Sequence, residues 1–328
     1  MIVTLTANPS FDRTIELAGR LQRGGVLRAD AVLEQAGGKG VNISRAAAAA
    51  GVDTVAVFPA DEDSAFAAEL HHDGIACRAV EPTGPVRVNL TLTEADGTTT
   101  KINSSGAASD AALLDRLRSA VTALAADARW VVLAGSLPPG APPEWYAEVA
   151  AALASTSARV AVDTSDAPLT ALAERLDTAR PDVLKPNAEE LALLTHDDAA
   201  AIEADPVVAA RAAARLVASG AGAVLATLGG AGAVLVTEEG AWHATAPAIT
   251  VVSTVGAGDS SLFGYLLGEV RGEAPADRLR LAVAYGSAAA GLPGTTIPVP
   301  HQVHPDLVAV RPLPTPDQAR PVPATPTP

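Results

Sequence analysis

Continuous apolar runs at 52–58, 130–134, 160–163, 182–184 and 223–227 are of the kind that strands buried on both faces produce, and Ala- and Leu-periodic stretches separate them. The alternation predicts a doubly wound, mostly parallel α/β sheet flanked by helices and joined by right-handed crossovers. Two segments break it. Residues 14–35 alternate loosely around Gly24-Gly25, and 86–103 do so more clearly, with Val86, Val88, Leu90 and Leu92 on one face and Asp96-Gly97 at the turn. Both read as half-buried hairpins outside the main sheet.

The same pattern marks where strand gives way to helix. Residues 251–264 run Val-Val-Ser-Thr-Val-Gly-Ala-Gly-Asp-Ser-Ser-Leu-Phe-Gly, which predicts a strand, a tight glycine turn and an amphipathic helix continuing through Leu266, Leu267 and Val270. Free amides and the positive dipole end at such a helix start attract anions, and Gly256 and Gly258 let one reach the backbone. Asp259 at the lip would repel a bound phosphate, yet it suits a base that deprotonates a hydroxyl attacking phosphorus. Capping the helix is the alternative use of such an Asp. A second turn, Gly37-Gly38-Lys39-Gly40, feeds an Ala-rich helix at 41–51 with Asn42 and Arg45 in its first turns, and so predicts a second anion site. It lacks the Walker A spacing, and G-x-G-x-x-G occurs nowhere in the chain. After the run at 182–184, Asn187 and Glu190 have the spacing of a capping box.

Composition narrows the partners. With 48% hydrophobic and 18% charged residues in 328, the chain has material for a large buried core. A formal charge of −14 argues against nucleic acid and anionic membrane, both of which demand a basic face. Of 23 basic residues only Lys39, Lys101 and Lys185 are lysines, and Lys39 falls in the glycine turn where an anion is expected. The single cysteine, Cys77, excludes an internal disulfide framework. A first strand at 1–8 in place of a signal sequence, and no apolar run long enough to span a bilayer, predict a cytoplasmic protein. Pro9 stops that strand, placing Asp12 on a loop at a strand end.

Taken together, Thr254-Val255-Gly256-Ala257-Gly258-Asp259-Ser260, Gly37-Gly38-Lys39-Gly40-Val41-Asn42 and Lys185-Pro186-Asn187-Ala188-Glu189-Glu190-Leu191 resemble the signatures of the ribokinase-like, or phosphofructokinase B, carbohydrate kinases. Order and spacing fit over roughly residues 1–300, most closely in the 1-phosphofructokinase and tagatose-6-phosphate kinase branch. The resemblance implies ATP and Mg²⁺ as cofactors, with Asn187 and Glu190 holding the metal through water. It implies Asp259 as base, with Gly256, Ala257 and Gly258 forming the anion hole. Asp12, Gly38, Lys39, Asn42, Arg87, Asn103, Ser136 and Arg28 are the expected sugar-phosphate ligands. Lys185, Asn187, Glu190, Thr227, Gly229, Gly232, Thr254 and Ser287 are those expected for the nucleotide. The hairpins at about 12–35 and 86–103 become a β-lid over the sugar and a homodimer interface. Residues 1–310 form the kinase domain and 311–328 a Pro-rich tail, for which no regular structure is expected.

The expected activity is phosphorylation of a phosphohexose, most plausibly fructose 1-phosphate to fructose 1,6-bisphosphate. Fructose 6-phosphate or tagatose 6-phosphate is the alternative substrate. A kinase of an unphosphorylated sugar or nucleoside and a non-catalytic sugar-phosphate sensor are the rivals. Lys39, Arg87 and Arg28 count against the first, and Asp259 against the second.

Overall fold

The computed structural model describes residues 1–314. The first half runs β1 (Ile2–Thr6), β2 (Ser10–Leu17), β3 (Ala29–Gly37), α1 (Lys39–Ala49), β4 (Thr54–Pro59), α2 (Ala65–His72), β5 (Ala76–Val80), β6 (Arg87–Thr93), β7 (Thr99–Ile102) and α3 (Ala111–Ala125). Next come β8 (Trp130–Ala134), α4 (Trp145–Leu153), β9 (Arg159–Asp163), α5 (Asp166–Ala173), α6 (Leu176–Ala179), β10 (Val183–Leu184), α7 (Ala188–Thr195), α8 (Ala199–Ala204) and α9 (Pro206–Ala218). The remainder is β11 (Ala223–Thr227), β12 (Ala233–Thr237), β13 (Gly240–Thr245), α10 (Ala257–Val270), α11 (Pro275–Ala290) and β14 (Ala309–Leu313).

Ten strands form one sheet in the order β14-β13-β12-β11-β10-β9-β8-β1-β4-β5. From β5 to β11 every pairing is parallel, and β12, β13 and β14 add antiparallel. Because side chains alternate across a strand, each one serves two cores. Val131 and Leu133 pack into the layer of α3 through α9, while Trp130 and Val132 pack against α1, α10 and α11. This is the expected doubly wound architecture. The two hairpins, β2–β3 and β6–β7, join through parallel pairing of β2 with β6 into a separate sheet, β3-β2-β6-β7. Its outer strand β7 is exposed throughout, so this lid carries no covering layer of its own.

Three expectations are corrected. No strand precedes the glycine turn at 256. Val251 and Val252 are 60% and 57% exposed, and the amides of Val252 and Ser253 donate to the Ala290 carbonyl at the end of α11. The main sheet beyond β11 is completed by β12, β13 and β14, which leaves this segment without a neighbour to pair with. Asp12 lies inside β2 and not on a loop, because β1 ends at Thr6 and Ser10, directly after Pro9, already opens a strand of the other sheet. The proposed boundary at 310 also fails: residues 309–313 pair with β13, Ala241 opposite Leu313, so the folded body runs through Leu313. The rest of the Pro-rich tail, 315–328, lies outside the described residues.

Helix α10 is tied to the sheet at the end away from its glycine turn. The Glu269 carboxylate, 6% exposed, accepts from Arg129 Nε and Nη2 at 2.9 Å each, Trp130 Nε1 at 2.8 Å and Arg159 Nη1 at 2.9 Å. Arg129 and Arg159 stand where β8 and β9 begin. Burial alone would raise the pKa of Glu269, but the bonds from Arg129 and Trp130, with the charge of Arg159, hold it at about 2. A depressed carboxylate stabilises the fold above its unfolded value of about 4.3, and that stability is lost as pH falls towards the folded value. Glu269→Gln should therefore cost about 1–3 kcal/mol at neutral pH, since half-exposed Arg129 is partly screened. It should also flatten the acid limb of stability between about pH 4.3 and 2. Denaturant midpoints across that range test this, and an unchanged acid limb would contradict it.

Candidate active site

The C-terminal ends of the parallel strands gather Asn8, Gly135, Asp163, Lys185 and Thr227 along one edge of the sheet, where ligands bind in open α/β folds. Above this edge starts α10. Its N-cap, Gly256, has φ 78°, a left-handed conformation that side chains disfavour. The Ala257 amide turns back to the Thr254 carbonyl at 3.3 Å, and among the described residues the amides of Gly258 and Asp259 have no backbone acceptor. A Cβ on Gly258 would come within 3.3 Å of Lys185 Nζ. The helix start and a lysine thus converge on one point.

Asp259, only 5% exposed, does not cap the helix, whose N-cap has no side-chain bond. Its Oδ2 accepts from Asn42 Nδ2 at 2.8 Å, and Lys39 Nζ stands 3.6 Å from Oδ1. Burial pushes the carboxyl pKa up, Lys39 opposes and Asp163 adds to the rise. Lys39 Nζ is also 3.2 Å from Asp163 Oδ1, and Lys185 Nζ is 3.2 Å from Asp163 Oδ2. For Asp163 burial again acts upward, but the two lysines outweigh it and keep the carboxyl ionised below the usual range. For Lys39 burial acts downward, and Asp163 and Asp259 outweigh it to hold the ammonium charged. A chain of alternating charge results: Lys185, Asp163, Lys39, Asp259.

A cavity of about 750 Å³ opens from Lys39 and Lys185. The expected nucleotide residues Asn187, Glu190, Thr227, Gly229, Gly232, Thr254 and Ser287 all line it, together with the apolar Ile249, Val251 and Val283. Cations and a helix start in one cavity with apolar wall suit a molecule that has both an anionic and an apolar part. Asn187 and Glu190 do form the capping box of α7, Asn187 Oδ1 accepting from the Glu190 amide at 2.7 Å and Glu190 Oε2 from the Asn187 amide at 2.9 Å. Burial, with Asp163 nearby, raises the Glu190 pKa against the pull of the Asn187 amide, Lys185 and Lys39. No cluster of three or more metal-ligating side chains exists among the described residues. Glu190, a carboxylate within electrostatic reach of Lys185 and Lys39, fits Mg²⁺, which keeps most of its waters and takes its other ligands from phosphates.

On the lid side, Asp12 Oδ1 accepts from Ser10 Oγ at 2.9 Å and Asn89 Nδ2 at 3.0 Å. Gly38, the N-cap of α1 at φ 123°, packs so closely that a Cβ there would sit 2.6 Å from Thr6 Cγ2. Asn42 Oδ1 and Asn89 Oδ1 are buried acceptors without a donor, so this side offers unmet acceptors to hydroxyl groups. Arg87 donates through Nη1 to the Ser104 carbonyl at 2.7 Å and through Nη2 to the Asn8 carbonyl at 3.2 Å, while its buried Nε has no partner. Asn8 Nδ2 reaches Ser136 Oγ at 3.4 Å. Arg87 and Ser136 therefore meet around Asn8.

Two expected residues stay apart. Arg28 and Asn103 are exposed, and no hydrogen bond or ion pair among the described residues ties either to the site. Two others escaped sequence reasoning. Asp163 ends an apolar strand run, where a carboxylate is out of pattern, and Asn8 directly precedes Pro9 in the short link between β1 and β2.

Residues 5–302 match the pfkB family carbohydrate kinases. The chain is 36% identical over 318 residues to a 1-phosphofructokinase of Haloferax volcanii, covering 95% of this chain and 99% of that one. To the 1-phosphofructokinase of Escherichia coli K12 it is 32% identical, covering 88% and 90%. Among solved structures, phosphofructokinase-2 from Escherichia coli, in complex with substrates and products, superposes with a TM-score of 0.83 at 31% identity, over 92% of this chain and 96% of that one. A ribokinase from Thermotoga maritima shares the fold at a TM-score of 0.70 and 21% identity, over 92% and 97%. With this architecture, this charged site and these relatives, the chain belongs to the pfkB family of carbohydrate kinases.

Proposed function

We propose that the protein transfers the γ-phosphoryl group of ATP to the free primary hydroxyl of a phosphohexose, foremost fructose 1-phosphate, giving fructose 1,6-bisphosphate. The observation that carries this reading is the position of Asp259. It is a buried carboxylate with a raised pKa, bound by Asn42 and standing where the nucleotide cavity meets the lid-side acceptors. Asp259 takes the hydroxyl proton as the oxygen attacks, and the amides of Gly258 and Asp259, with Lys185, stabilise charge on the transferred group. Lys39 bridges Asp163 and Asp259 and lines the nucleotide cavity, so in this reading its charge serves the point of transfer and not, as expected from the sequence, the sugar's own phosphate. The sugar's own phosphate is left to Arg87 and Ser136. Asp12, Asn42 and Asn89 supply acceptors for ring hydroxyls. Glu190 and Asn187 would hold Mg²⁺ through water, and the bound ion would neutralise the β- and γ-phosphate oxygens.

Asp259→Asn should bind nucleotide normally and lose roughly 10²- to 10⁴-fold in kcat, the usual worth of a positioned base. Because the base acts when ionised and burial raises its pKa, wild-type kcat should fall with decreasing pH at a midpoint above the ordinary aspartate value of about 4. A variant keeping more than about a tenth of wild-type turnover, or an acid limb at or below that value, would remove Asp259 from the role.

Fructose 1-phosphate and fructose 6-phosphate present one free primary hydroxyl and one distal phosphate in pseudo-symmetric fashion, so they differ by single polar contacts worth about 1–3 kcal/mol. Fructose 1-phosphate should give the highest kcat/KM, with measurable side activity on fructose 6-phosphate or tagatose 6-phosphate. Parallel assays decide it, and a preference of more than about tenfold for a 6-phosphate would reassign the substrate within the same chemistry.

We also propose a homodimer through the lid. Val32 and Ile102 are 57% and 53% exposed, and the register puts them on one face of a sheet that lacks a covering layer; such apolar surface is normally covered. Val32→Lys combined with Ile102→Lys should shift the mass measured by light scattering from dimer to monomer. A wild-type monomer at micromolar concentration would end this assignment.

A further inference from the structure

Arg45, Glu69 and Asp73 form an ionic group away from the transfer centre. Arg45, 8% exposed, lies on α1, Glu69 on α2 and Asp73 at the C-cap of α2. Two of the three converge on the backbone of one residue. The Ala36 amide donates to Glu69 Oε1 at 2.9 Å and Oε2 at 3.0 Å, and Arg45 Nη1 donates to the Ala36 carbonyl. Arg45 Nη2 joins the two side chains through Glu69 Oε1 at 2.8 Å. Asp73 instead accepts only from Arg45 Nε, at 2.8 Å, and does not touch the strand.

Ala36 is the last lid residue before the Gly37-Gly38 turn, and in the β2–β3 register it stands opposite Phe11, with Gln35 opposite Asp12. Asp12 is packed against this strand end so tightly that a Cβ on Gly37 would fall 2.3 Å from its Oδ2. Among the described residues no lysine or arginine pairs with the Asp12 carboxylate; Ser10 and Asn89 donate to it. Its location is therefore set by where the backbone at 36–38 runs. That backbone is held from the body of the protein by two side chains gripping a single amide and its carbonyl.

We propose that Arg45 and Glu69 are positioning residues for the sugar side of the site: by clamping Ala36 they fix Asp12 and the Gly37-Gly38 turn, and they leave the nucleotide side unaffected. The inference rests on the reading of Asp12 as a ligand of sugar hydroxyls. Charge-assisted bonds to both backbone groups of one residue are short and directional, so their loss frees the strand end to shift, and shifts well under an ångström weaken several ligand bonds together. Apart from Lys39, which shares α1 with Arg45, the nucleotide cavity is lined from α7, α8, β11, β12, the segment 246–254, α10 and α11, none of which contributes to the clamp.

Three variants of the full chain test it. Glu69→Ala removes both acceptors from the Ala36 amide and should raise KM for the phosphohexose by about tenfold, leaving kcat and KM for ATP within about twofold. Glu69→Gln, which keeps one acceptor, should recover most of that KM. Asp73→Ala breaks a comparable ion pair of the same arginine without touching Ala36, and should leave KM for the sugar within about twofold even where the melting temperature falls. Equal shifts in Glu69→Ala and Asp73→Ala, a rise in KM for ATP matching that for the sugar, or no shift in Glu69→Ala would each overturn the proposal. Wild-type protein that phosphorylates no phosphohexose would instead sink the functional reading beneath it.

Discussion

The site depends on one buried carboxylate shared by two ammonium groups. Asp163 is 1% exposed and stands about 3.2 Å from both Lys39 and Lys185. Removed from water, none of these charges is tolerable alone; each is sustained by its neighbour of opposite sign. The group carries a net positive charge at the strand ends of a protein whose formal charge is −14. An anionic substrate is thus met by a local field opposite to the global one, at a place where low polarizability strengthens it. Asp259 sits at the end of this chain, where burial and Asp163 raise its proton affinity and Lys39 lowers it. A base placed between such pulls holds a proton weakly enough to lose it again after each turnover.

The two anion-seeking turns are built differently for different loads. The turn at 256–258 opens onto the cavity beside a lysine, so phosphates meet backbone and side chain together. The turn at 37–38 is wedged against Thr6 and Asp12; its glycines serve close packing between lid and body as much as access for a ligand. Helices α1 and α10 meet side by side through Asn42 and Asp259, so the two turns report on each other's position.

Much of this was legible in the order of residues. Buried strands such as 223–227 announce themselves because both faces must be apolar, and glycine-then-helix transitions announce anion sites because few other arrangements need that spacing. The failures have physical causes as well. Val251 and Val252 look like a strand, but whether a β-branched run pairs depends on a vacant neighbour, which no local pattern encodes. Asp163 closes an apolar run, and only the fold shows that Lys39 and Lys185, far from it in the chain and from each other, reach it. Arg45 and Glu69 each read as ordinary helix residues until the backbone of Ala36 is placed between them. Arg28 and Asn103 are exposed on the lid, where neither local pattern nor packing fixes what they contact.

The edge strand β14 bears on how the chain assembles. It is the last strand in sequence among the described residues, and it alone pairs with the outer side of β13. Until it docks, β13 presents an unpaired row of amides and carbonyls, the template on which strands of other molecules add and aggregates grow. Once docked, β14 offers a poorer template in its turn, because Pro312 opposite Trp242 brings no amide to a further strand. The segment from 309 to 313 therefore acts as a terminator for the sheet, and a chain cut short within it would retain every residue of the site while losing its protection against association.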